Sequence, residues 1–298
     1  MVYRIRHRTT YLYEDPANLC HNLARLRPLD LPTQQCLSFR LKVSPQPDIS
    51  SSHLDGFGNH VDYFAIQHPH SELTIEAESR VEMRPQAQLL LEASCPWNEV
   101  SARIETPGDP ETAMARESTL PSRMIPRLPR LTELTAKDFP QGRPLVEAVS
   151  ALNERIFTEF EFKPGFTNVA TPVSEVFKTR AGVCQDFAHL MIAALRNLGI
   201  PARYVSGYLE TLPPPGKPKL IGADASHAWV SVFVPDHGWI EFDPTNNLRP
   251  GQRHIVVAYG SDYADVSPIR GVTMGGSDHR LRVAVDVNPE PSPRPLPR

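Results

Sequence analysis

The chain has 298 residues, long enough for one large domain or two ordinary ones that each bury a core. Hydrophobic residues make up 40% and charged residues 22%, which argues against both wholesale disorder and membrane embedding. The net charge of −3, without basic blocks, argues against nucleic acid as a partner. No run approaches the roughly 20 apolar residues that span a bilayer. Because residues 1–13 also lack the apolar part of a signal peptide, we expect a cytoplasmic protein without a membrane partner.

The first part of the chain alternates between polar and apolar residues, as half-buried strands do. Leu37, Phe39 and Leu41 illustrate this period of two, which recurs near residue 75. The segment DGFGN at 55–59 supplies the residues of a hairpin connection. We therefore expect an antiparallel β-sandwich domain over residues 1–94.

The remainder of the chain is predicted to contain a connection, a core and a tail. Prolines recur and periodicity weakens over residues 95–144, which favours a connecting segment. Helical spacing returns at Leu145, so we expect an α+β core over residues 145–287. Proline then occupies every second position from Pro289 to Pro297, which indicates a disordered tail over residues 288–298.

One of the four cysteines stands in a position that favours reactivity. The four are scattered and form no C-x-x-C pair, so a reducing compartment suits them and most are expected to be small buried apolar residues. Cys184, however, follows Gly182 and precedes apolar residues spaced at three and four up to Gly199. It is therefore predicted at the first turn of a core helix, where the helix dipole and free amides favour a thiolate and can bind an oxyanion.

A base and an orienting carboxylate follow on two predicted strands. The run SHAWVSVFV at 226–234 alternates as a strand, and GWIEFD at 238–243 reads as the next one after a short turn. Antiparallel pairing would bring His227 opposite the region of Asp243, while Pro244 ends the second strand there. We therefore predict Cys184 as nucleophile, His227 as general base and Asp243 as the carboxylate that orients it.

Four stretches around these residues resemble the bacterial transglutaminase-like family. They are RAGVCQDFAH at 180–189, GIPARYVSGY at 199–208, SHAWV at 226–230 and GWIEFDPTN at 238–246. The N-terminal half, with DGFGN, resembles the β-rich domain that precedes the core in that family. The resemblance implies a papain-like core and assigns the same three catalytic roles. One departure is Ser261, where similar sequences carry arginine.

Four further residues are candidates for substrate binding. Gln185 and Trp229 neighbour the nucleophile and the base, and Asp262 and Tyr263 lie in a polar loop after the predicted strands. Packing accounts equally well for the first two. Asp186 and His189, three residues apart on the helix, are predicted to be structural. Zinc binding by Cys184, His189 and His227 would need a fourth ligand and closer spacing, so no metal is expected.

The function predicted from the sequence is cysteine-dependent acyl transfer. We expect a peptide or protein substrate whose amide or isopeptide bond is cleaved through a thioester, without a cofactor. Resolution by water would make the protein a protease or amidase, and resolution by an amine would make it a transglutaminase. Hydrolysis is favoured because nothing in the sequence indicates a cleft that admits an amine and excludes water. A non-catalytic binding module on the same fold is the remaining alternative.

Overall fold

The computed structural model describes residues 1–85, 94–105, 108–211 and 226–290. The chain forms an α+β fold in which an antiparallel N-terminal sheet packs on a mixed core. Its strands are β1 Val2–Ala24, β2 Gln34–Ser44, β3 Ile49–Leu54, β4 His60–Ile66, β5 His70–Met83, β6 Glu161–Phe162, β7 Ala181–Gly182, β8 Ala202–Leu209, β9 Ser226–Val234, β10 Gly238–Phe242, β11 His254–Gly260, β12 Ile269–Gly275 and β13 His279–Pro289. Its α-helices are α1 Val100–Arg103, α2 Pro110–Glu117, α3 Thr132–Thr135, α4 Leu145–Glu159, α5 Val173–Thr179, α6 Cys184–Asn197 and α7 Tyr263–Val266, with short 3₁₀ turns at Trp97–Glu99 and Pro129–Leu131.

The N-terminal sheet is organised around the long strand β1. The first half of β1 pairs with β5 and β13, and its second half pairs with β4 and β12. A small apolar cluster that includes Phe64, Leu73 and Ile75 is buried there. The antiparallel prediction is confirmed, and the strands form one continuous sheet through β1 instead of two separate ones.

Two strands from the end of the chain complete this N-terminal sheet. β12 and β13 both pair with β1, although the predicted boundary at residue 287 places them in the core. The prediction of a disordered tail from residue 288 is wrong for its first three residues, the last of which, Glu290, donates its N–H to the Val2 carbonyl at 2.8 Å. Asn288 and Pro289 pair with Arg4 and Tyr3 of β1, because the edge of β1 offers backbone partners to a returning strand. Residues 291–298 lie outside the described part of the chain.

The core is an antiparallel sheet of order β10-β9-β8-β11 covered by α6. Apolar residues such as Leu190 and Ala194 recur along α6 at helical spacing and are fully buried. Gly199, with φ of +74°, ends the helix region as predicted. None of the helices in the described ranges is long and apolar enough to cross a bilayer.

The segment predicted as a connection is largely built into this core. Val100, Ile125 and Leu134 are buried in the same apolar cluster as α4 and α6. The prolines of this segment break it into short helices and turns, and some of its apolar residues reach the core while many of its other residues are exposed. Tyr3 and Ile5 of β1 join the same cluster, so the N-terminal sheet and the core share one hydrophobic interior.

The DGFGN segment ties the N-terminal sheet to an edge strand of the core. Asn59 donates from Nδ2 to the carbonyl of Tyr259 at 2.7 Å and accepts from its N–H at 2.8 Å, so its amide acts as a short strand partner for β11. Asp55 holds this loop, because its Oδ1 accepts from the N–H groups of Phe57 and Asn59, both at 3.0 Å. The segment predicted as a hairpin connection therefore also positions β11.

Candidate active site

Cys184 is the first residue of α6 and is half-buried. The turn before it is held by Asp186, whose Oδ2 accepts from the Val183 N–H at 2.8 Å and from the Thr167 hydroxyl at 2.6 Å. A Cβ atom on Gly182 would lie 2.8 Å from both Cβ and Oδ2 of Asp186, so only glycine fits against this cap. The start of the helix leaves the N–H of Cys184 without an intrahelical acceptor.

His227 and Asp243 meet at one end of the β9–β10 pair. The ladder ends at Val230 and Phe242, and Asp243 follows directly on an isolated bridge to Leu248. Nε2 of His227 donates to Oδ2 of Asp243 at 2.7 Å, and the two side chains are 9% and 0% exposed. The proximity predicted from the short turn is therefore present.

The thiol of Cys184 lies close enough to the His227 ring to raise the pKa of this histidine. Because Nε2 is bonded to Asp243, Nδ1 is the nitrogen left for the sulfur. Burial lowers the pKa of His227, but its interactions with Asp243 and Cys184 outweigh this effect and raise the pKa from 6.5 to about 10. The structure thus brings the three predicted residues close to one another, with a hydrogen bond between His227 and Asp243.

Asp243 is held by more groups than the sequence indicated. Its Oδ2 also accepts from Nε2 of His254 at 3.1 Å and from Nδ2 of Asn246 at 2.8 Å. Its Oδ1 accepts from the backbone N–H groups of Thr245 and Asn246 at 2.9 and 3.2 Å. Burial raises the pKa of Asp243, but the hydrogen bonds from His227, His254 and Asn246 outweigh it and place the pKa well below its ordinary value. This carboxylate is therefore ionised over the whole physiological range.

His254 is a residue of the site that sequence reasoning missed. It is the first residue of β11 and is 4% exposed. The available signal was a histidine opening a run of apolar strand residues, HIVVAYG, but nothing local connects this strand with Asp243. β10 and β11 lie at opposite edges of the core sheet, so the contact between His254 and Asp243 is a long-range one.

Trp229 forms a wall beside the base. Its ring is fully buried and stacks near the His227 ring with centroids 5.9 Å apart, while its Nε1–H donates to Glu241 at 3.0 Å. Space for this ring comes from Gly207, where a Cβ would lie 2.5 Å from the Trp229 ring and 2.1 Å from the Ile255 carbonyl oxygen. The contacts of Trp229 position His227, and its contact with substrate stays a prediction.

The other three predicted substrate-binding residues surround the start of α6. Gln185 donates from Nε2 to the Val169 carbonyl at 3.2 Å. Asp262 is 2% exposed and accepts from the N–H groups of Met124 and Ala264, both at 2.8 Å. Tyr263 is half-buried and lines a cavity. Their roles in substrate binding also stay predictions.

His189 and Asp186 do not pair with each other. The Nε2 atom of His189 accepts from the Tyr263 N–H at 3.1 Å, and burial lowers the pKa of this histidine to about 4. Both residues thus have structural partners of their own.

One group of side chains has the composition of a metal site. The ligand atoms of His227, Asp243 and His254 lie within 4.8 Å of one another. All three are engaged by the hydrogen bonds to Oδ2 described above, which is how a carboxylate between two imidazole donors is satisfied without a metal. Among the described residues His189 does not belong to this group, so the zinc set considered from the sequence is not assembled.

Comparison with known proteins assigns the chain to a family. Residues 3–82 match the family described as "Bacterial transglutaminase-like N-terminal region". Residues 132–244 match the family described as "Transglutaminase-like superfamily". An uncharacterized protein of Mycobacterium tuberculosis is 42% identical over 295 residues, which is 96% of this chain and 92% of that protein. The chain belongs to the bacterial transglutaminase-like family, as its sequence resemblance indicated.

Two further proteins resemble the chain over different extents. A protein-glutamine gamma-glutamyltransferase of Pseudomonas aeruginosa is 33% identical over 171 residues, covering 54% of this chain and 25% of that protein. The crystal structure of a "Putative Cysteine Protease from Cytophaga hutchinsonii" has a TM-score of 0.72 at 23% identity, covering 98% of this chain and 93% of the other. The likeness to the Cytophaga hutchinsonii structure supports the fold over nearly the whole chain.

Proposed function

We propose that this protein is a cysteine-dependent acyl-transfer enzyme that cleaves an amide, peptide or isopeptide bond through a thioester. The observation that carries the proposal is the 2.7 Å hydrogen bond between His227 and the buried Asp243, beside a Cys184 thiol that begins a helix and is close enough to raise the pKa of His227. A thiolate beside an imidazolium that a buried carboxylate holds in place is the arrangement that nucleophilic thiol catalysis requires.

In the acylation step, the Cys184 thiolate attacks the substrate carbonyl carbon and a C–S bond forms. The developing oxyanion accepts from the N–H of Cys184, which has no intrahelical acceptor. The His227 imidazolium then donates its proton to the leaving amine as the C–N bond breaks. Asp243 compensates the positive charge on the ring and holds Nδ1 toward the sulfur.

In the second step, a second molecule attacks the thioester carbonyl carbon and gives its proton to His227, the C–S bond breaks, and Cys184 leaves as the thiolate. If the attacking molecule is water, the reaction is hydrolysis, and if it is an amine, the reaction is transfer. Cys184, His227 and Asp243 would serve both reactions equally well. We favour hydrolysis, because nothing in the sequence indicates a cleft that admits an amine and excludes water. Transfer is the second candidate, because 171 residues resemble a protein-glutamine gamma-glutamyltransferase and the family points to protein substrates.

A non-catalytic module is the weaker alternative. It would be favoured by a Cys184 sealed from solvent, whereas this residue is half-buried. The protein is proposed to act on peptide or protein substrates without a cofactor, in the cytoplasm, as predicted from its sequence.

The proposal can be tested with p-nitrophenyl acetate, an activated ester that acylates reactive thiols without a specific recognition site. We expect a burst of about one nitrophenolate per protein, an acetyl group mapped to Cys184, and no burst in Cys184→Ala. Cys36→Ala is the matched control, because this half-buried cysteine has a pKa raised by burial and should leave the burst intact. A burst that survives in Cys184→Ala would overturn the proposal.

The same acyl-enzyme separates the two candidate reactions. If water is the natural acceptor, a primary amine such as putrescine at millimolar concentration will leave the steady-state rate after the burst unchanged. A transferase will turn over faster with the amine and will form N-acetylputrescine.

A further inference from the structure

An open cavity of about 550 Å³ lies beside the start of α6. One wall is the segment from Val169 to Ser174, and the facing wall is formed by Met124, Pro126 and Tyr263. These surfaces are mainly apolar, and Arg123 and Arg270 also line the cavity. Its volume suits a few side chains of a bound peptide.

Two contacts connect this cavity with the nucleophile. Val169 receives the hydrogen bond from Gln185, the residue after Cys184, at 3.2 Å. On the facing wall, the Tyr263 N–H donates to His189, one turn further along α6. The Tyr263 ring also lies 6.3 Å from the ring of Tyr204, a residue close enough to Cys184 for the two to interact electrostatically. These contacts place the cavity walls next to residues that flank Cys184 on α6.

The two charged side chains that line the cavity, Arg123 and Arg270, are both basic. Within the described ranges, neither the Arg123 nor the Arg270 guanidinium forms an ion pair or a hydrogen bond, and both side chains are exposed. The neighbouring carboxylate of Asp262 is buried and bound by the amides of Met124 and Ala264, and Oδ2 of Asp265 accepts from the Ser261 N–H at 2.9 Å. Two free guanidinium groups beside apolar walls fit a carboxylate on an apolar substrate segment.

We propose that this cavity is a substrate subsite that selects acyl donors carrying a carboxylate close to the reactive carbonyl, through Arg123 and Arg270. The inference rests on the proposed function, because it places the reactive carbonyl at Cys184. The carboxylate could be an acidic side chain or the α-carboxylate of a chain end, and the guanidinium groups can bind either one.

The test compares alkylation rates of Cys184 by matched reagents in the full chain. Iodoacetyl-leucine carries an α-carboxylate, and its amide is the neutral counterpart. Iodoacetyl-glutamic acid α-amide carries a side-chain carboxylate, and iodoacetyl-glutamine α-amide is its neutral counterpart. The ratio of the rates of the charged and the neutral reagent is measured for the wild type, Arg123→Gln, Arg270→Gln and the control Arg40→Gln, whose exposed arginine lies on β2.

The ratio is expected to fall about threefold in each cavity variant for at least one reagent pair, as for an exposed charge worth under about 1 kcal/mol. It should stay unchanged in Arg40→Gln, and the pair that responds identifies the source of the carboxylate. Ratios that are equal in all four proteins would overturn the subsite. Failure of the neutral reagents to prefer Cys184 would instead contradict the proposed function, so the two failures are distinguishable.

Discussion

Substitution of His254 tests whether the second imidazole on Asp243 serves the active site. His254→Leu removes one of the five hydrogen bonds to Asp243, a bond of 3.1 Å to an ionised and fully buried carboxylate. A hydrogen bond to a charged group contributes about 1.5–3 kcal/mol, so we expect the free energy of unfolding to fall by that amount. His254→Gln keeps an N–H donor of similar reach and should lose less than half as much.

His254→Leu and His254→Gln should also differ in activity. Without His254 the Asp243 carboxylate is held less firmly, and His227 is oriented less well toward Cys184. We expect His254→Leu to reduce kcat/KM for p-nitrophenyl acetate about tenfold, which corresponds to about 1.4 kcal/mol, and His254→Gln to recover most of it. Urea unfolding and burst kinetics measure the two effects. Equal behaviour of the two variants in both assays would refute this reasoning.

A further readout is the pH dependence of stability. The pKa of Asp243 is lower in the folded than in the unfolded protein, so its stabilisation is present above its ordinary value of 3.8 and is lost as the pH falls. His254 is one cause of that lowering. The loss of stability below about pH 4 should therefore be shallower in His254→Leu than in the wild type, an effect that a packing defect alone would not produce.

Three other substitutions have expected outcomes. Gly207→Ala places a Cβ 2.1 Å from the Ile255 carbonyl oxygen and should destabilise the fold by about 3 kcal/mol in urea unfolding. Asn59→Ala leaves the N–H and carbonyl of Tyr259 without their partner and should cost about 2–4 kcal/mol in the same assay. Because the folded-state pKa of His227 is raised to about 10, its charge should stabilise the protein fully below pH 6.5, and this contribution should disappear as the pH rises through about 10. Unfolding of wild type and His227→Gln at several pH values measures it.

Each of these three predictions has its own control or its own contradicting result. Gly251→Ala meets no atom within 4 Å and should leave stability unchanged, so a similar loss there would argue against the steric explanation. Asn59→Ala with wild-type stability would mean that water replaces the amide. A stability difference between wild type and His227→Gln that is constant from pH 6 to 10.5 would contradict the raised pKa.

Local patterns predicted the parts of the site that lie close together in the sequence. The helix at Cys184 and the strands carrying His227 and the approach to Asp243 were predictable because each has a strong apolar period and a defined end, at Gly199 and Pro244. The short turn between the two strands was enough to bring the imidazole and the carboxylate together.

Other features depend on contacts that no local pattern reveals. His254 reaches Asp243 from a strand at the opposite edge of the core sheet, and Asn288 pairs with Arg4 across nearly the whole length of the chain. Several apolar residues of 95–144, such as Ile125, are buried although they follow no regular period, since their burial comes from short turns fitted around α6. Long-range pairing and irregular packing therefore account for the differences between prediction and structure.

The most direct measurement for the central claim is the rate at which iodoacetamide alkylates each cysteine near neutral pH. Burial raises the pKa of the thiols of Cys20, Cys36 and Cys95, so they compete poorly. We predict preferential labelling of Cys184, mapped by mass spectrometry, with a rate at least about tenfold lower in His227→Ala, the loss expected when a thiolate is deprived of its imidazolium partner. Labelling spread over the four cysteines, or a Cys184 rate unchanged in the variant, would contradict the account.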